Sequence, residues 1–279
     1  MLESGEAYDE GERGQRIVRS LIANKLATIW MEIGESSFDC PLKSVSGGNT
    51  VWQQIYLLGH YPVLLHEYYL MSRLILDSKW ILPPWKLFSF KCGSAIEYDA
   101  FYAAACEKEI GSFTYTGIDE EVWSGLSEVP PNKLKLIRSP PSGLQVGELD
   151  EISLIMFPKS LKSFTGRDFE AISQQLQRAV MKRKRICMAF SASDPEKPDY
   201  ELNRFHSLLE QAARWQKYRI CQEQTIHIQA ETAIRYADNR FEYPPKILMK
   251  MRDREGLASV CPVERLEQAF MRAVFLEAR

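Results

Sequence analysis

The residues best able to do chemistry in this 279-residue chain fall in three short stretches. Cys92-Gly93-Ser94 is a small-residue turn between an apolar run, Trp85 to Phe90, and a segment that opens on Glu97-Tyr98. Asp119 closes a second apolar run that begins at Phe113. A strand, a small-residue turn, a helix and a second strand ending in an acid make a unit that can hold a nucleoside. The turn admits a ligand against the backbone, and the carboxylate accepts hydrogen bonds from ribose hydroxyls. Asp119 could equally cap a following helix, since Glu120-Glu121-Val122-Trp123 comes next. Glu97 could be a helix-start acid favoured by the helix dipole. Phe157-Pro158-Lys159-Ser160 ends a third apolar run. Lys159 there could orient an acidic substrate, act as a base if burial lowered its pKa, or be a surface lysine in a strand-to-helix turn.

Other constellations are weaker. Lys182-Arg183-Lys184-Arg185 is a charge run that suits the end of a helix and solvates it, with RNA contact as the sharper alternative. His66-Glu67 lacks the second histidine of a zinc-protease motif, with Leu70 in its place. His206 and His227 have no partners at metal-ligand spacing, so no metal is expected. No nucleophile elbow or phosphate-binding loop is present. Six scattered cysteines without a C-x-x-C pair suit free thiols in a reducing compartment. A formal net charge of -2 gives no global field for nucleic acid. The start of the chain is acidic rather than signal-like, and Val51 to Leu76 carries too many polar groups to span a membrane. A cytoplasmic location is the expectation.

The elements that must position these groups follow from periodicity. Residues 1–14 read as a flexible acidic tail, 15–80 as an N-terminal helical cover and 81–279 as the domain that carries the site. Ile17, Leu21, Ile22, Leu26 and Ile29 recur at helical spacing up to Gly34, and Phe38 to Thr50 reads as a loop. A second helical region is expected to break near Gly59 to Pro62 before an aromatic-rich half, Val63 to Leu76. After Pro83-Pro84 the pattern alternates: strand Lys86–Phe90, helix Tyr98–Glu109, strand Phe113–Ile118, an edge-like strand Lys133–Arg138, and a doubly buried strand Ile152–Phe157. Thr165 caps a helix with Phe169, Ile172, Leu176 and Val180 on its inner stripe. A strand at Arg185–Ala189 and a helix at Asp199–Tyr218, with Leu202, Phe205, Leu209 and Ala212 inward, come next. Thr225–Tyr236 and Ile247–Arg252 are expected to form an antiparallel pair, and Pro262–Arg279 a closing helix.

This alternation, with Cys92-Gly93-Ser94, Glu97-Tyr98, Tyr115-Thr-Gly117-Ile-Asp119 followed by Trp123, and Phe157-Pro-Lys-Ser160, resembles the class I S-adenosylmethionine-dependent methyltransferases. Within that class it is similar to a little-characterised bacterial group. The resemblance covers roughly residues 80 to 255. It implies an α/β, Rossmann-like methyltransferase fold: a mostly parallel sheet with a C-terminal antiparallel strand pair and an N-terminal helical cover. It also implies that Cys92 and Gly93 cradle S-adenosylmethionine, that Asp119 takes its ribose and Glu97 its methionine end, and that Lys159 and Ser160 face the acceptor. The family's glycine loop reads acid-x-Gly-x-Gly-x-Gly, and those positions fall here on Ser89, Lys91, Gly93 and Ala95, so only Gly93 is retained. Lys91 could swing away, pair with a ligand carboxylate, or fill the site. The resemblance therefore leaves two expectations: a methyltransferase, or a catalytically inactive scaffold that docks a protein partner on its helical cover.

Overall fold

A computed structural model describes residues 12–33, 50–121, 123, 133–145, 147–182, 184–216, 218–228, 266 and 268–278. The acidic tail up to residue 11, the loop 38–49 and the segment Ile247–Arg252 lie outside the described residues, as do the side chains of Val180, Lys182 and Ala212.

Helix α1 spans Glu12–Ile33 and turns Val18, Ile22, Leu26 and Ile29 inward at the spacing of one face. Helix α2, Thr50–Asp77, runs unbroken through Pro62. The expected break is absent because the helix is held on several sides. Leu57, Leu58, Tyr61, Leu65, Tyr68 and Tyr69 are all buried, and that packing outweighs the one backbone hydrogen bond the proline removes. Helix α3, Ile96–Glu107, lies against α2. Polar groups join the two along their length: Tyr61 donates to Asp99 at 2.8 Å, Tyr69 donates to Glu107, and Arg73 pairs with Glu107 at 3.3 Å.

Seven strands form one sheet in the order β3-β2-β1-β4-β5-β7-β6. They are β1 Trp85–Phe90, β2 Phe113–Asp119, β3 Leu134–Arg138, β4 Leu154–Pro158, β5 Arg185–Ser191, β6 Tyr218–Ile228 and β7 Ala269–Ala278. The first five are mutually parallel, and β7 runs antiparallel to both β5 and β6. Helix α4, Gly166–Lys182, and helix α5, Asp199–Gln216, cover the second face. Thr165 and Asp168 cap α4 reciprocally: the Thr165 hydroxyl donates to Asp168, whose backbone N–H returns to it at 3.2 Å.

Strand alternation divides the core in two. Leu87, Tyr115, Leu154, Met156 and Phe275 face α1, α2 and α3, while Phe88, Phe90, Ile155, Phe157 and Val274 face α4 and α5. This is an α/β, Rossmann-like fold, with the mostly parallel sheet and terminal antiparallel pair expected from the sequence. The identity of that pair differs. Tyr218–Ile228, rather than Thr225–Tyr236, is its first strand, and Ala269–Ala278 is its second. The closing helix expected over Pro262–Arg279 is replaced, across 269–278, by a strand. Alanine, methionine and leucine favour helix, but β7 is wedged between two strands and buried on both faces, and the sheet overrides that preference.

Candidate functional site

The parallel strands β1, β2 and β4 end on one edge of the sheet, and the residues singled out from the sequence gather there. Strand β1 ends at Phe90, and the turn to α3 is left-handed at alternate residues: Lys91, Gly93 and Ala95 have φ of 52°, 53° and 58°. These are the three positions at which the resembling family carries glycine. A glycine adopts that conformation freely, whereas lysine and alanine resist it by about 1–2 kcal/mol each. The turn is held by Ala95 N–H donating to Cys92 C=O at 2.8 Å and Cys92 N–H donating to Ile118 C=O at 3.3 Å. The Lys91 ammonium lies 3.6 Å from Glu120.

Asp119 ties the end of β2 to this turn. Its Oδ2 accepts from Gly93 N–H at 2.8 Å, and its Oδ1 accepts from Glu121 N–H at 3.0 Å. Each oxygen keeps a further lone pair for another donor. Two residues earlier, Gly117 serves a different need. A Cβ there would stand 2.5 Å from the Cys92 sulfur, so the glycine lets the turn settle against β2. Cys92 is thereby buried, and its thiol is pushed well up, first by burial and then by the charge of Glu97.

Glu97 is not a solvated helix-start acid. Only 1% exposed, it accepts from Ser89 Oγ and from Tyr115 Oη, each at 2.5 Å. Burial raises its carboxyl to about 7 against the downward pull of those two bonds. Glu97 on α3 thus brings a carboxylate against Ser89 on β1.

Lys159 follows β4 and is also left-handed, at φ 48°. Rather than a free surface lysine, it is an engaged one. Its Nζ lies 3.1 Å from Glu67 Oε2 and donates to Ala192 C=O at 3.1 Å. Glu67 is fully buried and accepts from Ser191 Oγ. An ammonium paired in this way has no lone pair with which to take a proton. Ser160, beside it, is 2% exposed, and its hydroxyl has no partner among the described residues; the same holds for Ser94 in the first turn, at 4%.

Four participants were not singled out as site residues from the sequence. Tyr56, His60 and Glu67 project from α2, and Trp123 follows β2. A Cβ on Gly93 would lie 3.4 Å from the Trp123 indole. Tyr56 meets Trp123 edge-on at 5.7 Å, and His60 leans on Tyr56 at 4.6 Å. The His60 imidazole is pushed down by burial and then by the Lys159 charge. The aromatic density of α2 was the available signal, and it reads as packing until the sheet edge is placed beneath it. Of the basic run, Lys184 and Arg185 sit at the start of β5, on the opposite edge from this site, while Arg183 and the Lys182 side chain lie outside the described residues.

No protein-family model matches the chain, and no curated protein matches it. Its shape is similar to that of the plantazolicin methyltransferase BpumL in complex with SAH and a pentazolic desmethylPZN analog, with 12% identity, 95% of this chain and 100% of that one covered, and a TM-score of 0.44. It is also similar to magnesium protoporphyrin IX methyltransferase from Synechocystis PCC 6803 with bound SAM, at 10% identity, 94% and 96% coverage and a TM-score of 0.41. A SAM-dependent methyltransferase from Aquifex aeolicus follows at 10% identity, 73% and 88% coverage and a TM-score of 0.40. Likeness at this level carries no functional argument, and the fold rests on the strand order itself. Among the described residues, no helix is long and apolar enough to cross a membrane.

Proposed function

We propose that this chain is an S-adenosylmethionine-dependent methyltransferase that holds its cofactor across the ends of β1 and β2 and its acceptor at the end of β4. The observation that carries this reading is the turn backbone, left-handed at Lys91, Gly93 and Ala95 although two of the three have side chains that resist it. A shape kept against that cost speaks for a purpose beyond connecting β1 to α3. The donor set suits the group. Asp119 has acceptor capacity left for ribose hydroxyls, Glu97 offers a buried carboxyl to the amino end, and the turn of Cys92, Gly93 and Ser94 supplies close backbone and an unpartnered hydroxyl.

When bound, the sulfonium supplies a methyl group that is already activated, so the protein's task is positioning. Lys159, fixed by Glu67 and Ala192, presents a cation to a polar or anionic acceptor, and the buried Ser160 hydroxyl offers one further hydrogen bond. Trp123, with Tyr56 packed against it, borders the turn beside Gly93. The free thiols of Cys92, Cys106, Cys187 and Cys221 fit a reducing, cytoplasmic setting.

Isothermal titration with S-adenosylmethionine and S-adenosylhomocysteine tests the reading. The expected result is micromolar binding, on the order of -8 kcal/mol, weakened about tenfold or more in Asp119→Ala. Silence with both ligands at millimolar concentration overturns it. The reading left standing would then be the inactive scaffold, with a protein partner on the helical cover.

A further inference from the structure

The opposite edge of the sheet carries a second constellation. Strand β7 lies between β5 and β6, and its Glu277 stands in register with Arg185 on one side and Arg219 on the other. Glu277 Oε1 accepts from Arg185 Nε at 2.9 Å, and Oε2 accepts from Arg219 Nη2 at 2.8 Å. One buried carboxylate thus organises two guanidinium groups and is itself held down at about 2 by their hydrogen bonds. The Arg185 guanidinium is further fixed over the Trp80 ring, 4.5 Å from its centroid. Lys184 adds a third cation and forms no ion pair among the described residues. Together with Ala278 these groups line an open cleft of about 680 Å³.

The charge does not balance. Three cations against one carboxylate leave two positive charges facing the cleft, on a chain whose formal net charge is -2. A clamp that joins three strands uses one arginine from each flanking strand, so the Lys184 ammonium stands outside that need. Each arginine spends a single donor on Glu277, and Arg219 also reaches Cys221, which leaves further N–H groups of both forks without an acceptor among the described residues. Two oriented guanidiniums and an ammonium are the donor set that recognises a tetrahedral oxyanion with several oxygens.

We propose that the cleft lined by Lys184, Arg185, Arg219 and Glu277 is a binding site for phosphate groups. The phosphate could belong to a small molecule or to a nucleic-acid strand. The site is separate from the proposed cofactor turn, at the other end of the same parallel strands, so the two can be tested independently.

The experiment titrates the full chain with inorganic pyrophosphate by calorimetry and with a fluorescent single-stranded RNA of about 20 nucleotides by anisotropy. Three variants accompany it: Arg219→Gln, Lys184→Ala and, as a control, Lys197→Ala on a distant exposed turn. Saturable binding of pyrophosphate alone assigns a small-molecule phosphate. Binding of RNA as well, with a salt dependence that is shallower in Arg219→Gln, assigns a strand. In either case Arg219→Gln and Lys184→Ala are expected to bind about tenfold more weakly, with the control unchanged. No binding of either probe overturns the proposal, as does binding that both cleft variants retain in full. Urea melts of the variants separate lost binding from lost folding. S-adenosylmethionine affinity is expected to be unaltered, which keeps this outcome distinct from that of the cofactor reading.

Discussion

Glu97 makes the candidate site sensitive to pH in a direction that can be stated. Its carboxyl sits near 7 in the folded protein and near 4.5 when unfolded, because burial disfavours the charge. The folded state therefore keeps a proton that the unfolded chain releases between those values. Stability falls as pH rises through that window, by on the order of 3 kcal/mol, and the loss is complete above it. Glu97→Gln retains an acceptor for Ser89 and Tyr115 but no charge. It is expected to flatten the dependence in urea titrations between about pH 5 and pH 8, and an unchanged slope would refute the assignment. Lys91 tests the turn beside it. Lys91→Gly removes a side chain from a left-handed position and loses only a half-exposed ion pair with Glu120. We expect a gain of about 0.5–1 kcal/mol and a melting temperature higher by about 1–3 °C. A lower one would mean the lysine is not strained. At this scale the sequence was partly legible. Gly93 and Asp119 are local features, visible in order along the chain. The pairing of Lys159 with Glu67 is not, because the two are brought together only when α2 crosses the sheet edge.

Elements meet at positions where small residues admit close approach. Gly117 has no unusual φ to explain it, yet a Cβ there would collide with the Cys92 sulfur and touch Leu136 at 3.0 Å. Gly117→Ala is expected to cost about 1–3 kcal/mol in chemical denaturation and to weaken cofactor affinity along with it, since the turn must move off β2. A variant of unaltered stability would show that Cys92 can rotate aside. Periodicity was a good guide to α1, α4 and the central parallel strands, whose environments match their patterns: amphipathic helices on the surface and apolar runs in the sheet. It failed where context reverses a local preference. Pro62 reads as a breaker, but the surrounding packing carries α2 through it. The run Ala269-Phe-Met-Arg-Ala-Val-Phe-Leu-Glu-Ala278 suits a helix by composition, and only its place between two strands makes it β7.

For the molecule as a whole, β7 completes the architecture. Among the described residues it alone joins β6 to the rest of the sheet, and its inner residues reach both halves of the core. Val274, fully buried and opposite Met188 and Glu223, is a direct probe. Val274→Asp would place an uncompensated carboxylate in the core at a cost of several kcal/mol, a large part of a typical stability of about 5–15 kcal/mol. We expect the cooperative urea transition to be lost, and a variant that still unfolds cooperatively would show the strand to be dispensable. The position of β7 also bears on synthesis. β6 is translated before its partner, and the whole stretch between Ile228 and Ala269 must be made before the two can pair. Until then the outer edge of β5 is bare, and the nascent chain on the ribosome, rather than the finished protein, is the form most exposed to edge-to-edge aggregation.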